Sequence, residues 1–190
     1  AHFGGELLAK LGFDVHALVK HGRALQVLEW SLALGTCRAF ELVESLIVEF
    51  SEQNNAMLAS RSQQLRDEEE RKHIAVFRRY GDYLASQHPA WAKRFGELHA
   101  ERLERYRQSV KRASYPSQAA HHFSFWLNTL FFEEFTIYFS RALERSSEEI
   151  QPVWLALNQA HGCEESHHLV TDAAYLRDVK LDEANRSLWT

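Results

Sequence analysis

The chain has 190 residues, enough for one well-cored domain and short for two. Its net charge of -4, with Lys and Arg scattered among Glu, argues against a nucleic-acid surface. No apolar run approaches the roughly 20 residues that span a bilayer, and the N-terminus lacks a basic-then-apolar signal pattern. Two cysteines without CxxC spacing favour a reducing compartment. We therefore expect one cytoplasmic domain, residues 1–190, that binds neither nucleic acid nor membranes.

Helical periodicity dominates every segment of the chain. An amphipathic stretch from about Glu6 to Lys20 comes first, and long helices are then predicted over about 23–50, 56–86, 89–112, 118–145 and 152–179. Polar residues at 51–55 predict a turn after the first long helix, and Pro89 and Pro152 suit first helical turns. The helix over 89–112 is highly charged and should lie outside the core. We predict an all-α, antiparallel four-helix bundle with one or two accessory helices.

One pentapeptide pattern, Glu-Glu-x-x-His, occurs twice, ending at His73 and at His168. A Glu and a His three residues apart share a helix face, so both can reach one metal ion. Glu70 with His73, and Glu165 with His168, are therefore candidate metal ligands. Glu164 with His167 is the alternative register of the second copy.

Two further carboxylates would complete a site for two metal ions. In an antiparallel hairpin, residues equidistant from the turn lie at one level. Glu41 is 29 residues before Glu70, and Glu134 is 31 before Glu165, with both midpoints in predicted turns. Glu41 and Glu134 are therefore the candidates, with Glu44 as the competitor of Glu41. We expect at least one of Glu133 and Glu134 to point into an aromatic environment, where a buried carboxylate needs a cation. The alternative is that both lie on the solvent edge of the helix.

Other residues near these motifs have alternative roles. His161 shares a face with Glu165 and His168, so it is either a further metal ligand or part of a pocket wall. Glu69 and Glu164 either hydrogen-bond a ligand imidazole and fix its tautomer or lie on the surface. The aromatic helix after Ser117 either fills the core or lines a ligand cavity, and in an oxygenase it would keep bulk water from the metal ions.

The ordered set Glu41, Glu70-x-x-His73, Glu134 and Glu165-x-x-His168 resembles the ferritin-like diiron carboxylate superfamily. His161-x-x-x-Glu165-x-x-His168 is similar to the arylamine N-oxygenases within it, and so is the segment from Glu69 to Phe77. The resemblance implies a ferritin-like bundle, two iron ions and dioxygen as co-substrate, with manganese as the alternative metal. It also implies a small-molecule substrate and an external electron donor. A homodimer is an open alternative.

On this resemblance, two ferrous ions bridged by Glu70 and Glu165 would reduce dioxygen to a peroxo species. Glu41 and His73 would complete one iron site, and Glu134, His168 and His161 the other. N-oxygenation of an amine is the expected reaction, and hydroxylation at carbon is the near alternative. A ferritin-like ferroxidase or iron-handling protein has the same ligands without an organic substrate. A metal-free helical interaction module is the third class.

Overall fold

The computed structural model describes residues 2–20, 23–54, 61–112 and 114–179, and these residues are almost entirely helical. The helices are α1 (Gly5–Lys10), α2 (Val15–Lys20), α3 (Arg23–Gln53), α4 (Arg61–Gln87), α5 (Pro89–Arg112), α6 (Gln118–Glu144) and α7 (Pro152–Asp178). The expected all-α class is confirmed for this part of the chain. In the described ranges, no helix has the length and apolar character needed to cross a membrane.

The first amphipathic stretch differs from the prediction, because a turn divides it into α1 and α2. Gly12 has a φ of +90°, a left-handed conformation that glycine adopts without a steric cost. Asp14 then accepts a hydrogen bond from the Ala17 amide at 2.9 Å, which caps the start of α2. The periodicity of the segment was continuous, but local turn chemistry interrupts the helix.

The sequence prediction placed the polar break after the first long helix too early. Residues 51–53 are helical, and the Ser51 hydroxyl is buried and donates to Asp67 of α4 at 2.8 Å. The Asn54 side chain caps the helix by donating to the Phe50 carbonyl oxygen at 2.8 Å. Residues 55–60, which hold the rest of the predicted turn and the start of the predicted second helix, lie outside the described residues.

The sequence signals for helix starts correctly located the beginnings of the last two helices. Ser117 accepts from the Ala120 amide at 3.1 Å and begins α6. Pro152 lies in the first turn of α7, and the Gln151 side chain accepts from the Trp154 amide at 2.6 Å. An isolated parallel bridge joins His2 to Ile150, in the connection between α6 and α7. The N-terminal segment therefore contacts the turn between these two helices.

Side-chain contacts give the direction of each long helix. Tyr80 near the end of α4 stacks on Trp154 near the start of α7, with ring centroids 5.6 Å apart. Phe50 near the end of α3 stacks on Phe125 near the start of α6, at 3.7 Å. Together with the α3–α4 and α6–α7 hairpins, these contacts make α3 parallel to α7 and α4 parallel to α6.

Helix α5 carries the chain back along the outside of α3. Trp30 near the start of α3 contacts His88, with centroids 5.7 Å apart, and Glu49 near its end pairs with Arg107 at 3.1 Å. The helix is largely exposed, as its charge predicted. The remaining four long helices therefore enclose a common interior, with aromatic layers at both ends.

Candidate metal centre

Seven buried acidic and histidine side chains meet in this interior. Their exposed fractions are all 4% or less. Helix α3 contributes one residue, α4 two, α6 one and α7 three: Glu44, Glu70, His73, Glu133, His161, Glu165 and His168. The three α7 residues follow the i, i+4, i+7 spacing that places them on one helix face.

The first half of the cluster consists of Glu44, His73, His161 and Glu165, whose ligand atoms all lie within 4.8 Å of one another. His161 Nε2 is 2.9 Å from Glu44 Oε1 and 2.7 Å from Glu165 Oε1. His73 Nδ1 is 3.3 Å from the same oxygen of Glu165. Four donor atoms from three helices therefore surround one small volume. We call this group subsite 1.

The second half consists of Glu70, Glu133, Glu165 and His168, again within 4.8 Å of one another. His168 Nδ1 is 3.0 Å from Glu165 Oε2 and 3.3 Å from Glu70 Oε1. Glu165 thus presents Oε1 to the first group and Oε2 to the second. A carboxylate in this position is able to bridge two metal ions. We call the second group subsite 2.

The buried polar atoms of the cluster are poorly satisfied by protein partners. Eleven buried side-chain nitrogen and oxygen atoms lack a hydrogen-bond partner among the described residues, and eight of them belong to this cluster. They include both oxygens of Glu44, both nitrogens of His161, and one atom each of Glu70, His73, Glu133 and Glu165. The contacts of 2.7–3.3 Å within the first group are ion pairs that lack hydrogen-bond geometry. Buried polar groups normally find partners, because an unpaired one costs about 1–3 kcal/mol. The donor set therefore fits metal ions placed between these atoms.

Two glutamates orient the imidazoles from outside the cluster. His73 Nε2 donates to Glu164 Oε2 at 2.6 Å, and His168 Nε2 donates to Glu69 Oε2 at 2.9 Å. With Nε2 donating outward, Nδ1 of each imidazole faces inward, and its lone pair would become available to a metal ion once Nδ1 is deprotonated. Each glutamate comes from the opposite hairpin, so the two copies of the pentapeptide orient one another's histidines.

A buried cation adjoins subsite 2. The Arg66 guanidinium is 2% exposed and contacts Glu133, Asp172 and Glu70, the last at 3.3 Å. It also lies 4.9 Å above the ring of Trp126. Each of Glu70 and Glu133 keeps a second oxygen, Oε2, without a hydrogen-bond partner among the described residues. Arg66 therefore fixes these carboxylates through one oxygen and leaves the other available.

Sequence reasoning missed Arg66 and Asp172. A signal for both was present, because Arg66 precedes Glu70 by four residues and Asp172 follows His168 by four. This spacing extends the face that carries the candidate ligands on each helix by one turn.

The structure corrects two of the expected positions. Glu41 does not reach the cluster; it forms ion pairs with Arg38 at 3.0 Å and Arg78 at 2.8 Å on the partly exposed side of α3. Glu44, the competitor, occupies the interior instead. Glu134 is exposed, and Glu133 points inward. A shift of one residue rotates a side chain by about 100° around a helix, which decides between neighbouring glutamates.

The aromatic helix is also oriented differently from the expectation. Phe131, Phe135 and Tyr138 of α6 are 60%, 49% and 54% exposed. The inward row near Glu133 consists of smaller side chains, Thr129 and Thr136. The rings that border the cluster come mainly from α3 and α4: Phe40 and Phe77 lie 5.0 and 4.7 Å from the His161 ring.

Burial and charge repulsion shift the ionisation of the cluster. Burial raises the pKa of Glu44 to about 7, against the opposing effect of His161. Burial disfavours the charged form of His73, but Glu165 and Glu70 beside it outweigh this effect and raise its pKa to about 11. The same balance raises the pKa of His161 and His168. Carboxylates in excess of cations thus make the interior attract positive charge.

Comparison with known proteins adds no family assignment: no family model, no curated protein and no solved structure matches the chain.

Proposed function

We propose that the buried cluster holds two iron ions and that the protein is an oxygen-activating enzyme with a ferritin-like four-helix bundle. Glu44, His73 and His161 would bind one ion, and Glu133 and His168 the other. Glu70 would join the second ion, and Glu165 would be shared between the two. Manganese is the alternative metal, because mixed carboxylate and imidazole ligands suit iron or manganese better than zinc.

The observation that carries this proposal is the convergence, within one buried cluster, of eight nitrogen and oxygen atoms that lack a well-formed hydrogen bond. Four of them face one another at 2.7–3.3 Å without hydrogen-bond geometry. Charge supports it independently. The carboxylates of Glu44, Glu70, Glu133 and Glu165 carry four negative charges when ionised, which two divalent ions would balance. Arg66 is already balanced by Asp172. Without metal, protonation of His73, His161 and His168, whose pKa values the neighbouring carboxylates raise, compensates part of this charge. Divalent ions would replace those protons.

When bound, ferrous ions would bind dioxygen and supply electrons to it. The chain provides the surroundings in which this chemistry is useful. Glu69 and Glu164 hold the imidazole tautomers, Arg66 holds Glu70 and Glu133 in place, and Phe40 and Phe77 exclude water next to His161.

The proposed reaction is oxidation of a small-molecule amine at nitrogen. One oxygen atom of dioxygen would become bonded to the amine nitrogen. The other would leave as water, with two electrons and two protons supplied by an external donor. This choice depends on the similarity of His161-x-x-x-Glu165-x-x-His168 to the arylamine N-oxygenases. Hydroxylation at carbon has the same balance and is the alternative reaction.

Metal analysis of the protein, loaded anaerobically with ferrous iron, tests the proposal. We expect about two ions per chain for the parent protein. Glu165→Ala should abolish loading, because Glu165 belongs to both subsites. His168→Ala should bind no more than about one ion. His167→Ala is the matched control, since His167 is the exposed neighbour on α7 and its loss should leave loading unchanged.

Full loading of Glu165→Ala, or equal effects of the two histidine variants, would show that the cluster is not the metal site. Oxygen uptake by the loaded protein then separates the functional classes. An oxygenase should turn over repeatedly with an electron donor and an oxidisable amine. A ferroxidase should instead form a multimer that accumulates many irons per chain without any organic substrate.

A further inference from the structure

A groove runs along the bundle between α3 and α6, where side chains rather than close helix packing join the two helices. A larger cavity of about 660 Å³ opens beneath the α1–α2 turn and α5. A smaller cavity of about 260 Å³ lies towards the start of α6. Val43, Tyr106 and Phe132 line both cavities, so the two adjoin. Together they fall in the size range of small-molecule sites.

A single layer of side chains separates the groove from the proposed metal centre. Phe40 lines the larger cavity, and its ring lies 5.0 Å from the His161 ring and 5.3 Å from that of Phe132. In the smaller cavity, Ile47 is one turn after Glu44, and Thr129 is one turn before Glu133. A molecule in the groove would therefore be separated from both subsites by one side chain.

The lining carries almost no available charge. Among its described residues neither cavity has an Asp or Glu, and Arg38 is the one Lys or Arg. That guanidinium is already engaged, with Glu41 at 3.0 Å and Asp82 at 2.6 Å. The larger cavity is otherwise mostly aliphatic and aromatic: Leu28, Leu32, Ala39, Phe95, Leu103 and Phe135. A charged ligand group buried here would lose its hydration without gaining a counter-ion.

Hydrogen-bonding groups are concentrated in the smaller cavity. Ser109, Tyr115, His121 and Asn128 line it. Burial lowers the pKa of His121, which favours its neutral imidazole, a hydrogen-bonding group rather than a charge. The Asn128 amide nitrogen donates to the Ser124 carbonyl oxygen at 2.7 Å, which leaves its carbonyl oxygen to accept from another donor.

We propose that this groove binds the organic substrate, and that the substrate is uncharged and mainly apolar with one hydrogen-bonding end near Asn128 and His121. The proposal rests on the function proposed above. It excludes carboxylate-bearing arylamines, for which the described part of the lining has no free Lys or Arg, and alkylammonium ions, for which it has no carboxylate. Phe40 and Phe132 would lie between the substrate and the metal ligands.

Fluorescence titration of the iron-loaded protein with two matched dyes tests the substrate class. N-phenyl-1-naphthylamine is neutral, and 1-anilinonaphthalene-8-sulfonate has the same ring system with an anionic group. We expect the neutral dye to bind at least about tenfold more tightly, because the sulfonate finds no counter-ion. Equal binding, tighter binding of the sulfonate, or no binding of the neutral dye would overturn the proposal.

Two groove-filling variants locate the bound dye. Ala39→Trp places a large ring in the larger cavity, and Ala75→Trp, on the exposed face of α4, is its matched control. From α5, Leu103→Trp fills the same cavity, and the exposed Leu98→Trp is its control. The two filling variants should raise the Kd of the neutral dye by about tenfold or more, with iron content unchanged. A Kd that neither filling variant changes would overturn the proposal.

The two proposals fail in distinguishable ways. A protein that binds the neutral dye in the groove but takes up no iron would refute the metal centre and retain the apolar site. A protein that loads about two irons per chain but binds neither dye would retain the metal centre and refute the substrate class.

Discussion

Replacement of Arg66 by Met should lower the free energy of unfolding of the metal-free protein far more than the removal of an ordinary surface arginine. The Arg66 side chain is 2% exposed and contacts the buried carboxylates of Glu70, Glu133 and Asp172. Removing one partner of a buried charge network leaves the others uncompensated, which typically costs about 3–5 kcal/mol. For a chain of this length, that cost corresponds to a fall in Tm of roughly 6–20 °C.

Metal loading should reduce this loss of stability. Divalent ions would neutralise Glu70 and Glu133, so mainly Asp172 would remain without a partner in the Arg66→Met protein. Unfolding in denaturant, followed by circular dichroism with and without bound iron, measures the difference. Asp172→Asn added to Arg66→Met should restore part of the lost stability, since the double variant removes the uncompensated charge.

Arg78→Met is the matched control for this experiment. Arg78 lies on the same helix with a 57% exposed side chain and one close ion pair, to Glu41. Its loss should cost no more than about 1 kcal/mol. If Arg66→Met were as stable as Arg78→Met, with or without metal, the buried network would not have the energetic role assigned to it.

Two further paired substitutions test the ligand assignment and the helix packing. Glu44→Gln should lower iron content by at least about one ion per chain in metal analysis, whereas Glu41→Gln should leave it unchanged. A larger loss of iron in Glu41→Gln than in Glu44→Gln would instead support Glu41 as the ligand. Gly162→Ala should reduce the free energy of unfolding by about 1–3 kcal/mol, because its Cβ would lie 2.8 Å from Ser140 Cβ across the α6–α7 contact. Gly96→Ala should raise it by about 0.5–1 kcal/mol in the same denaturation assay, since no atom lies within 4 Å of its Cβ; equal effects would contradict the packing argument.

The sequence predicted much of the cluster because helix periodicity is a local property. Glu70 with His73, and His161 with Glu165 and His168, lie together in the structure as their spacing indicated. The match to the metal-binding pattern needed only the 3.6-residue repeat. These residues could be placed without knowing how the helices meet.

The single glutamates of α3 and α6 could not be placed in the same way. The hairpin argument favoured equal separations of 29 and 31 residues, whereas the residues in the cluster, Glu44 with Glu70 and Glu133 with Glu165, are 26 and 32 apart. The near equality was therefore coincidental. A midpoint estimate depends on the length of the connection, and an error of one to three residues selects a different helix face.

Burial patterns were the better guide to these two positions. Cys37, Phe40, Glu44 and Ile47 follow one another at intervals of three and four residues on α3, and all are buried. Glu41 lies outside that stripe. On α6, the neighbours of Glu133 in the inward row are Thr129 and Thr136, and Trp126 lies one turn further along the same row. Phe131, Phe135 and Tyr138, by contrast, are exposed. Hydrophobicity alone misleads where polar and charged side chains fill part of the interior.

The reciprocal contacts between the two hairpins explain how such a polar interior can be held in register. Glu69 of α4 orients His168 of α7, and Glu164 of α7 orients His73 of α4. A sliding movement of one hairpin along the other would break both hydrogen bonds and separate the two oxygens of Glu165 from their subsites. Aromatic packing at either end, by Tyr80 on Trp154 and Arg66 on Trp126, opposes the same movement. The residues that select the imidazole tautomers therefore also set the alignment on which the paired subsites depend.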